Sequence, residues 1–77
     1  MTTIERLNMI FCEVFDDEAI RIRPETTAND IEGWDSFSHV NLILAVETKF
    51  NIRFAQKELA ILKNVGDLLK AIESKLN

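Results

Sequence analysis

The chain has 77 residues, 47% of them hydrophobic and 29% charged, with one Cys, one His, two Gly, one Pro and no Tyr. That balance predicts a single soluble domain over residues 1–77, near the lower size limit for folding without metals or disulfides, and too poor in turn residues for a β-sandwich or barrel. The net charge of −4 disfavours nucleic acid, which calls for a basic stripe that outweighs the acids.

The N-terminus, Met1-Thr2-Thr3-Ile4-Glu5-Arg6, lacks the basic start and apolar core of a signal peptide. No apolar run approaches the roughly eighteen residues that span a bilayer. A lone cysteine, Cys12, calls for no oxidising compartment, so the expectation is a cytoplasmic protein that does not enter membranes. Thr2-Thr3-Ile4-Glu5 matches a capping box. From it Ile4, Leu7, Ile10, Phe11, Val14 and Phe15 recur at helical spacing, which predicts a first helix ending near Phe15. Cys12 falls about 130° from the apolar centre of that helix and reads as an incidental thiol.

A long connection follows, from Asp16 to Trp34. Pro24, Asn29-Asp30 and Gly33 break it, and Ile20, Ile22 and Ile31 are its apolar anchors. So long a loop in so small a domain often goes with function. It is also acidic: residues 1–35 hold nine acids and three bases, whereas residues 36–77 hold four acids and six bases. An acidic surface suits a basic partner. The acids at 16–18 lack the spacing, mid-loop Gly and closing Glu of a calcium loop, and no other metal site is expected.

The second helix should begin at Asp35 or Ser36 and run to about Phe50. Asn51 to Phe54 then reads as a short extended or turn segment, and Gln56 to Leu62 as a brief third helix. Asn64 caps a fourth helix, with Asp67 near the positive end of its dipole. Val65, Leu68, Leu69, Ile72 and Leu76 form its apolar face. The fold class is therefore all-α, a four-helix bundle with a short third helix and a long loop between the first two.

The second helix has two apolar stripes. Leu42, Ile43, Val46 and Phe50 make the core face; Phe37, Val40 and Leu44 lie about 140° away on the same wheel. A small bundle needs one buried stripe. Either the other helices cover the second, or it docks a partner, since contiguous exposed apolar surface marks interaction sites. His39 points between Val46 and Phe50, and reads as a partly buried, hydrogen-bonded histidine at the mouth of the bundle. Trp34 reads as a packing anchor for the loop.

Asp and Ser are the preferred helix N-cap residues, so Asp35-Ser36 by itself carries no function. Its setting does: the serine opens an apolar helix after a long acidic loop. Here the chain resembles the acyl and peptidyl carrier proteins. Gly33-Trp34-Asp35-Ser36-Phe37-Ser38-His39-Val40-Asn41-Leu42-Ile43-Leu44-Ala45-Val46-Glu47 is similar to the Asp-Ser-Leu attachment motif and its helix, and Phe50-Asn51-Ile52 to the Phe-x-Ile segment that ends it. The resemblance extends over nearly the whole chain.

That resemblance implies that Ser36 receives 4′-phosphopantetheine from coenzyme A through a Mg²⁺-dependent phosphopantetheinyl transferase, and that the arm's thiol holds cargo as a thioester. It implies acyl- or aminoacyl-loading ligases and transferases as further partners, with the chain itself a monomer. Phe37, Val40 and Leu44 become the expected docking surface, with Asp35 and Glu47 as polar guides.

The departures are informative. Phe37 stands where the family usually has Leu, and Ser36 to Thr48 contains a single acid, Glu47, where carriers of fatty-acid synthesis have an acidic helix. Trp34 and His39 look more like stand-alone carriers of specialised aminoacyl, peptidyl or polyketide pathways. An enzyme would need a nucleophile with a base in reach or a metal set, which one His and no matching spacing do not provide. The competing reading is an unmodified helical adaptor, which explains the second stripe without Ser36.

Overall fold

A computed structural model of the chain describes residues 2–76. Four α-helices follow in order: α1, Thr3–Val14; α2, Ser36–Phe50; α3, Gln56–Ala60; and α4, Val65–Lys75. A single 3₁₀ turn, Ala28–Asp30, interrupts the long first connection. Among the described residues there is no strand. The all-α architecture with its short third helix is the one read from the sequence.

Each helix end has a local cause. Thr2 and Glu5 form the reciprocal cap of α1: the Glu5 N–H donates to Thr2 Oγ1 at 3.2 Å and the Thr2 N–H to Glu5 Oε1 at 2.8 Å. The helix stops where Asp16 turns left-handed at φ 51°. There the Asp17 N–H reaches back to the Cys12 carbonyl at 3.0 Å, which satisfies one of the orphan carbonyls of the last turn. Asn51 does the same for α2 at φ 56°, with the Ile52 N–H on the Glu47 carbonyl at 3.1 Å. Asn is a residue that tolerates this conformation.

The core faces of the amphipathic helices meet as their spacing dictates. Leu7, Ile10 and Phe11 of α1, Leu42, Ile43, Val46 and Phe50 of α2, and Val65, Leu68 and Ile72 of α4 are buried in one cluster. Leu76 departs from the expectation. It lies one residue past the last turn of α4 and is 42% exposed, so the α4 core stripe ends at Ile72. Helix α3 is also two residues shorter than expected. Its N-cap, Ala55, has no side-chain oxygen to cap with, and Ile61 leaves helical geometry.

The long loop is fixed by polar contacts that the apolar pattern does not reveal. From α1, Asn8 clamps it with both ends of its amide: Nδ2 donates to the Ile20 carbonyl at 3.0 Å, and Oδ1 accepts the Ile22 N–H at 2.7 Å. The two flanking side chains, Ile20 and Ile22, are thereby held in the core. Cys12 is more than incidental: half-buried, it packs on the core, and its Sγ lies 3.7 Å from the same Ile20 carbonyl.

Further along, the loop satisfies the start of α4. The Val65 N–H donates to the Thr26 carbonyl at 2.8 Å and the Gly66 N–H to the Pro24 carbonyl at 2.7 Å, while the Asp67 N–H goes to Asn64 Oδ1 at 2.9 Å. Three of the first-turn donors that every helix leaves unpaired are filled this way. The approach favours glycine at 66, because a Cβ there would stand 3.0 Å from the Pro24 oxygen, tighter than an ordinary contact. The loop is thus stitched to α1 at one end and to α4 at the other, and its last residues carry the site.

Asn8→Ala strands the Ile22 N–H in a half-buried position. Leaving such a donor unpaired costs about 1–3 kcal/mol. Urea unfolding is expected to show that loss, with the helical content of the folded state unchanged.

Candidate functional site

The site is built where the loop enters α2. Asp35 is the N-cap: its Oδ1 accepts the N–H groups of Phe37 at 3.0 Å and Ser38 at 2.9 Å. Ser38 answers by accepting the Asp35 N–H at 3.0 Å. The Ser38 hydroxyl also lies within hydrogen-bonding distance of Asp35 Oδ1, at 2.9 Å, and of the Gly33 carbonyl oxygen. This reciprocal box settles which of Asp35 and Ser36 caps the helix. Ser36 is the first helical residue, exposed, and its hydroxyl takes part in no hydrogen bond among the described residues. The Ser36 hydroxyl is left out of the cap because its neighbours do the capping. Hydrogen bonds from Ser38, and then from Phe37, hold the Asp35 carboxyl below its ordinary range, so it is ionised at neutral pH.

Gly33 and Trp34 set the entry angle. Gly33 has φ 88°, a left-handed backbone that an L side chain adopts only under strain. Trp34 then turns inward, edge-on to Phe11 at 5.2 Å and tilted against Phe15 at 6.2 Å. Its indole Nε1–H donates to His39 Nδ1 at 3.1 Å, with the ring centroids 6.0 Å apart and 18° between their planes. Trp34 is the packing anchor expected of it, and His39 the hydrogen-bonded, half-buried histidine. Because Nδ1 accepts, the neutral ring carries its proton on Nε2.

Two clefts open on either side of Ser36. The inner one, about 340 Å³, is lined by Trp34, Ser36 and His39 and, from the α3–α4 connection, by Leu62, Lys63 and Asn64. The outer one, about 320 Å³, is lined by Ser36, Phe37, Val40 and Asn41. The second apolar stripe of α2 is not covered by the bundle: Phe37 is 81% exposed, Val40 58% and Leu44 56%. Ile61, 69% exposed on the turn after α3, is a further apolar side chain in solvent that its sequence position did not single out. Glu47, expected as a polar guide, is half-buried and spends Oε2 on the Phe54 N–H at 2.9 Å, which ties the end of α2 to the segment leading into α3.

No family model matches the chain. Over 73 residues it is 34% identical to an acyl carrier protein of Helicobacter pylori strain J99, covering 95% of this chain and 94% of that one. It is 32% identical to the acyl carrier protein of strain 26695 over the same spans. Its fold is similar to the solution NMR structure of a holo acyl carrier protein from Geobacter metallireducens, with a TM-score of 0.92 and 51% identity, over 99% of this chain and 87% of that one. The chain belongs to the acyl carrier protein family. It is accordingly a carrier, modified and loaded by separate enzymes rather than an enzyme itself, with covalently held 4′-phosphopantetheine as its cofactor. That membership displaces the reading as an unmodified adaptor. The residues fit such a group: a helix-opening serine with a free hydroxyl stands between two clefts. No described helix of the carrier is long and apolar enough to cross a membrane, and no described cluster of His, Cys, Asp or Glu could hold a metal.

The Trp34–His39 bond makes the carrier sensitive to acid. Burial lowers the His39 pKa below its ordinary 6.5, and protonation would turn Nδ1 into a donor facing the indole donor. The unfolded chain therefore binds the proton at higher pH than the folded one. Stability is full above about pH 6.5 and falls as the pH drops from there through the lowered folded value. Trp34 is the sole tryptophan, so its fluorescence should titrate with His39 while the fold persists. In His39→Gln both the titration and this part of the acid destabilisation are expected to vanish.

Proposed function

We propose that Ser36 is the attachment point of the 4′-phosphopantetheine arm, and that the chain is a discrete carrier serving a specialised biosynthetic pathway. The observation that carries this reading is the Ser36 hydroxyl itself, exposed and without a hydrogen bond among the described residues at the first position of α2. On modification Ser36 Oγ gives up its proton and becomes a phosphodiester oxygen, while the nucleotide portion of coenzyme A leaves. When bound, the arm supplies a terminal thiol that holds an acyl or aminoacyl cargo as a thioester. Asp35 keeps the serine in place through one carboxylate oxygen; the other has no hydrogen bond among the described residues and suits the transferase's Mg²⁺. Tethering raises the local concentration of cargo once a partner docks.

The phosphopantetheinyl transferase, loading ligases and acyl- or aminoacyl-transferases are the proposed partners, with Phe37, Val40 and Leu44 as their landing surface. Three apolar side chains more than half exposed on one helix face are unusual for a chain with no use for them. Between Ser36 and Thr48 the single acid is Glu47, which already serves the Phe54 backbone. Partner recognition on this face is therefore mainly apolar, with Asp35 as its charged guide. That separates the carrier from the acidic helix of fatty-acid synthesis and favours aminoacyl, peptidyl or polyketide assembly.

Incubation with coenzyme A, Mg²⁺ and a broad-specificity transferase should add the mass of one phosphopantetheine, and Ser36→Ala should abolish the gain. An unchanged parental mass would refute the attachment reading. Val40→Asp and Leu44→Asp lie at exposed positions and should alter stability by no more than about 0.5 kcal/mol. Both are expected to slow modification or cargo transfer by about tenfold, the loss of 1.4 kcal/mol of docking energy. Parental rates in both variants would rule out the landing surface.

A further inference from the structure

Ser38 does more at the head of α2 than complete a helix cap. Its side chain is half-buried, and its one hydroxyl meets three groups. Oγ accepts the Asp35 N–H at 3.0 Å, stands 2.9 Å from Asp35 Oδ1 and lies within hydrogen-bonding distance of the Gly33 carbonyl oxygen. A serine hydroxyl has one proton and two lone pairs, so Gly33 and Asp35 Oδ1 draw on one donor while the Asp35 N–H takes a lone pair. The end of the loop, the N-cap and the first turn of α2 are thereby tied at a single atom. Gly33 holds the left-handed φ of 88°, so the tie falls where the direction of the chain into α2 is set.

Around Asp35 the bonding is lopsided. Oδ1 accepts the N–H groups of Phe37 and Ser38 and has the Ser38 hydroxyl beside it, whereas Oδ2 has no hydrogen bond among the described residues. On the helix side the Asp35 carbonyl accepts the His39 N–H at 2.9 Å. On the loop side its N–H is bonded to Ser38 Oγ. The two together fix the Asp35 backbone, and with it the angle at which the carboxylate and Ser36 stand to the loop. We propose that Ser38 is a positioning residue for the modification of Ser36: it holds the Asp35 backbone and carboxylate so that Asp35 Oδ2 and the Ser36 hydroxyl are presented together to the transferase. The proposal rests on Ser36 being the attachment point. Ser38 makes no hydrogen bond with Ser36, and residues two apart on a helix do not face each other, so it acts through Asp35. The same contacts occupy the Ser38 hydroxyl, which leaves one serine of the two available for modification.

Steady-state kinetics of modification by the broad-specificity transferase, with coenzyme A and Mg²⁺ saturating and the apo carrier varied, test this role. In Ser38→Ala kcat is expected to fall about tenfold, as for one lost hydrogen bond. The KM for the carrier should stay within about twofold, because the exposed stripe of α2 is untouched and uniform binding is kept. Ser38→Thr keeps the hydroxyl and is expected to restore the rate. NMR couplings of the Asp35 side chain in the apo carrier give a readout independent of the transferase. One χ1 rotamer is expected in the parent and in Ser38→Thr, and averaged rotamers in Ser38→Ala, with the helical content by circular dichroism equal in all three. A residue that matters for folding alone would lower stability and leave both kcat and the rotamer as they are. Parental kcat in Ser38→Ala, a single Asp35 rotamer in that variant, or a loss that Ser38→Thr fails to restore overturns the positioning role while leaving attachment at Ser36 intact. A parental chain that gains no mass overturns both.

Discussion

The reciprocal cap between Asp35 and Ser38 is the interaction on which the site depends. A helix start has more N–H donors than it can satisfy, and a serine at that start is ordinarily drawn into satisfying them. Asp35 meets two of those donors with a single oxygen, and Ser38 returns the favour to the Asp35 backbone. Ser36 stands between them with its hydroxyl unused. A helix terminus normally consumes small polar side chains; this one is arranged to spare one.

The cap would be useless on a wandering loop. Gly33 supplies the left-handed turn, Trp34 drives into Phe11 and Phe15, and the loop behind it is held by the Asn8 amide and by the first N–H groups of α4. These contacts link three helices to one entry point. The same Trp34 orients His39, so a packing decision in the loop becomes a tautomer decision beside Ser36. Structure and chemistry share one indole.

The two faces of α2 divide the labour. Leu42, Ile43, Val46 and Phe50 bury themselves in the core that α2 shares with α1, and each such side chain contributes about 1.5–3 kcal/mol of burial. Phe37, Val40 and Leu44 stay in water at a solvation cost the bundle has no structural reason to bear. Ser36 lies at the head of both faces and lines a cleft on each side, one toward Trp34 and one toward the stripe.

Periodicity and capping chemistry are local, so the sequence by itself determined the four helices, their order, the core stripe of α2 and the Thr2–Glu5 box. It also singled out Asp35-Ser36, through a motif that lies in consecutive residues. Even some local detail escaped it: Ser38 caps without being Glu or Gln, and so falls outside the usual capping-box pattern. The tertiary structure alone decided that the second stripe stays exposed, since a wheel gives the direction of a side chain but not what stands opposite it. The Asn8 clamp, the loop carbonyls beneath α4 and the cleft whose lining includes both Ser36 and Lys63 were equally beyond sequence reading. Each joins residues distant along the chain, and hydrogen bonds of that kind leave no period to read.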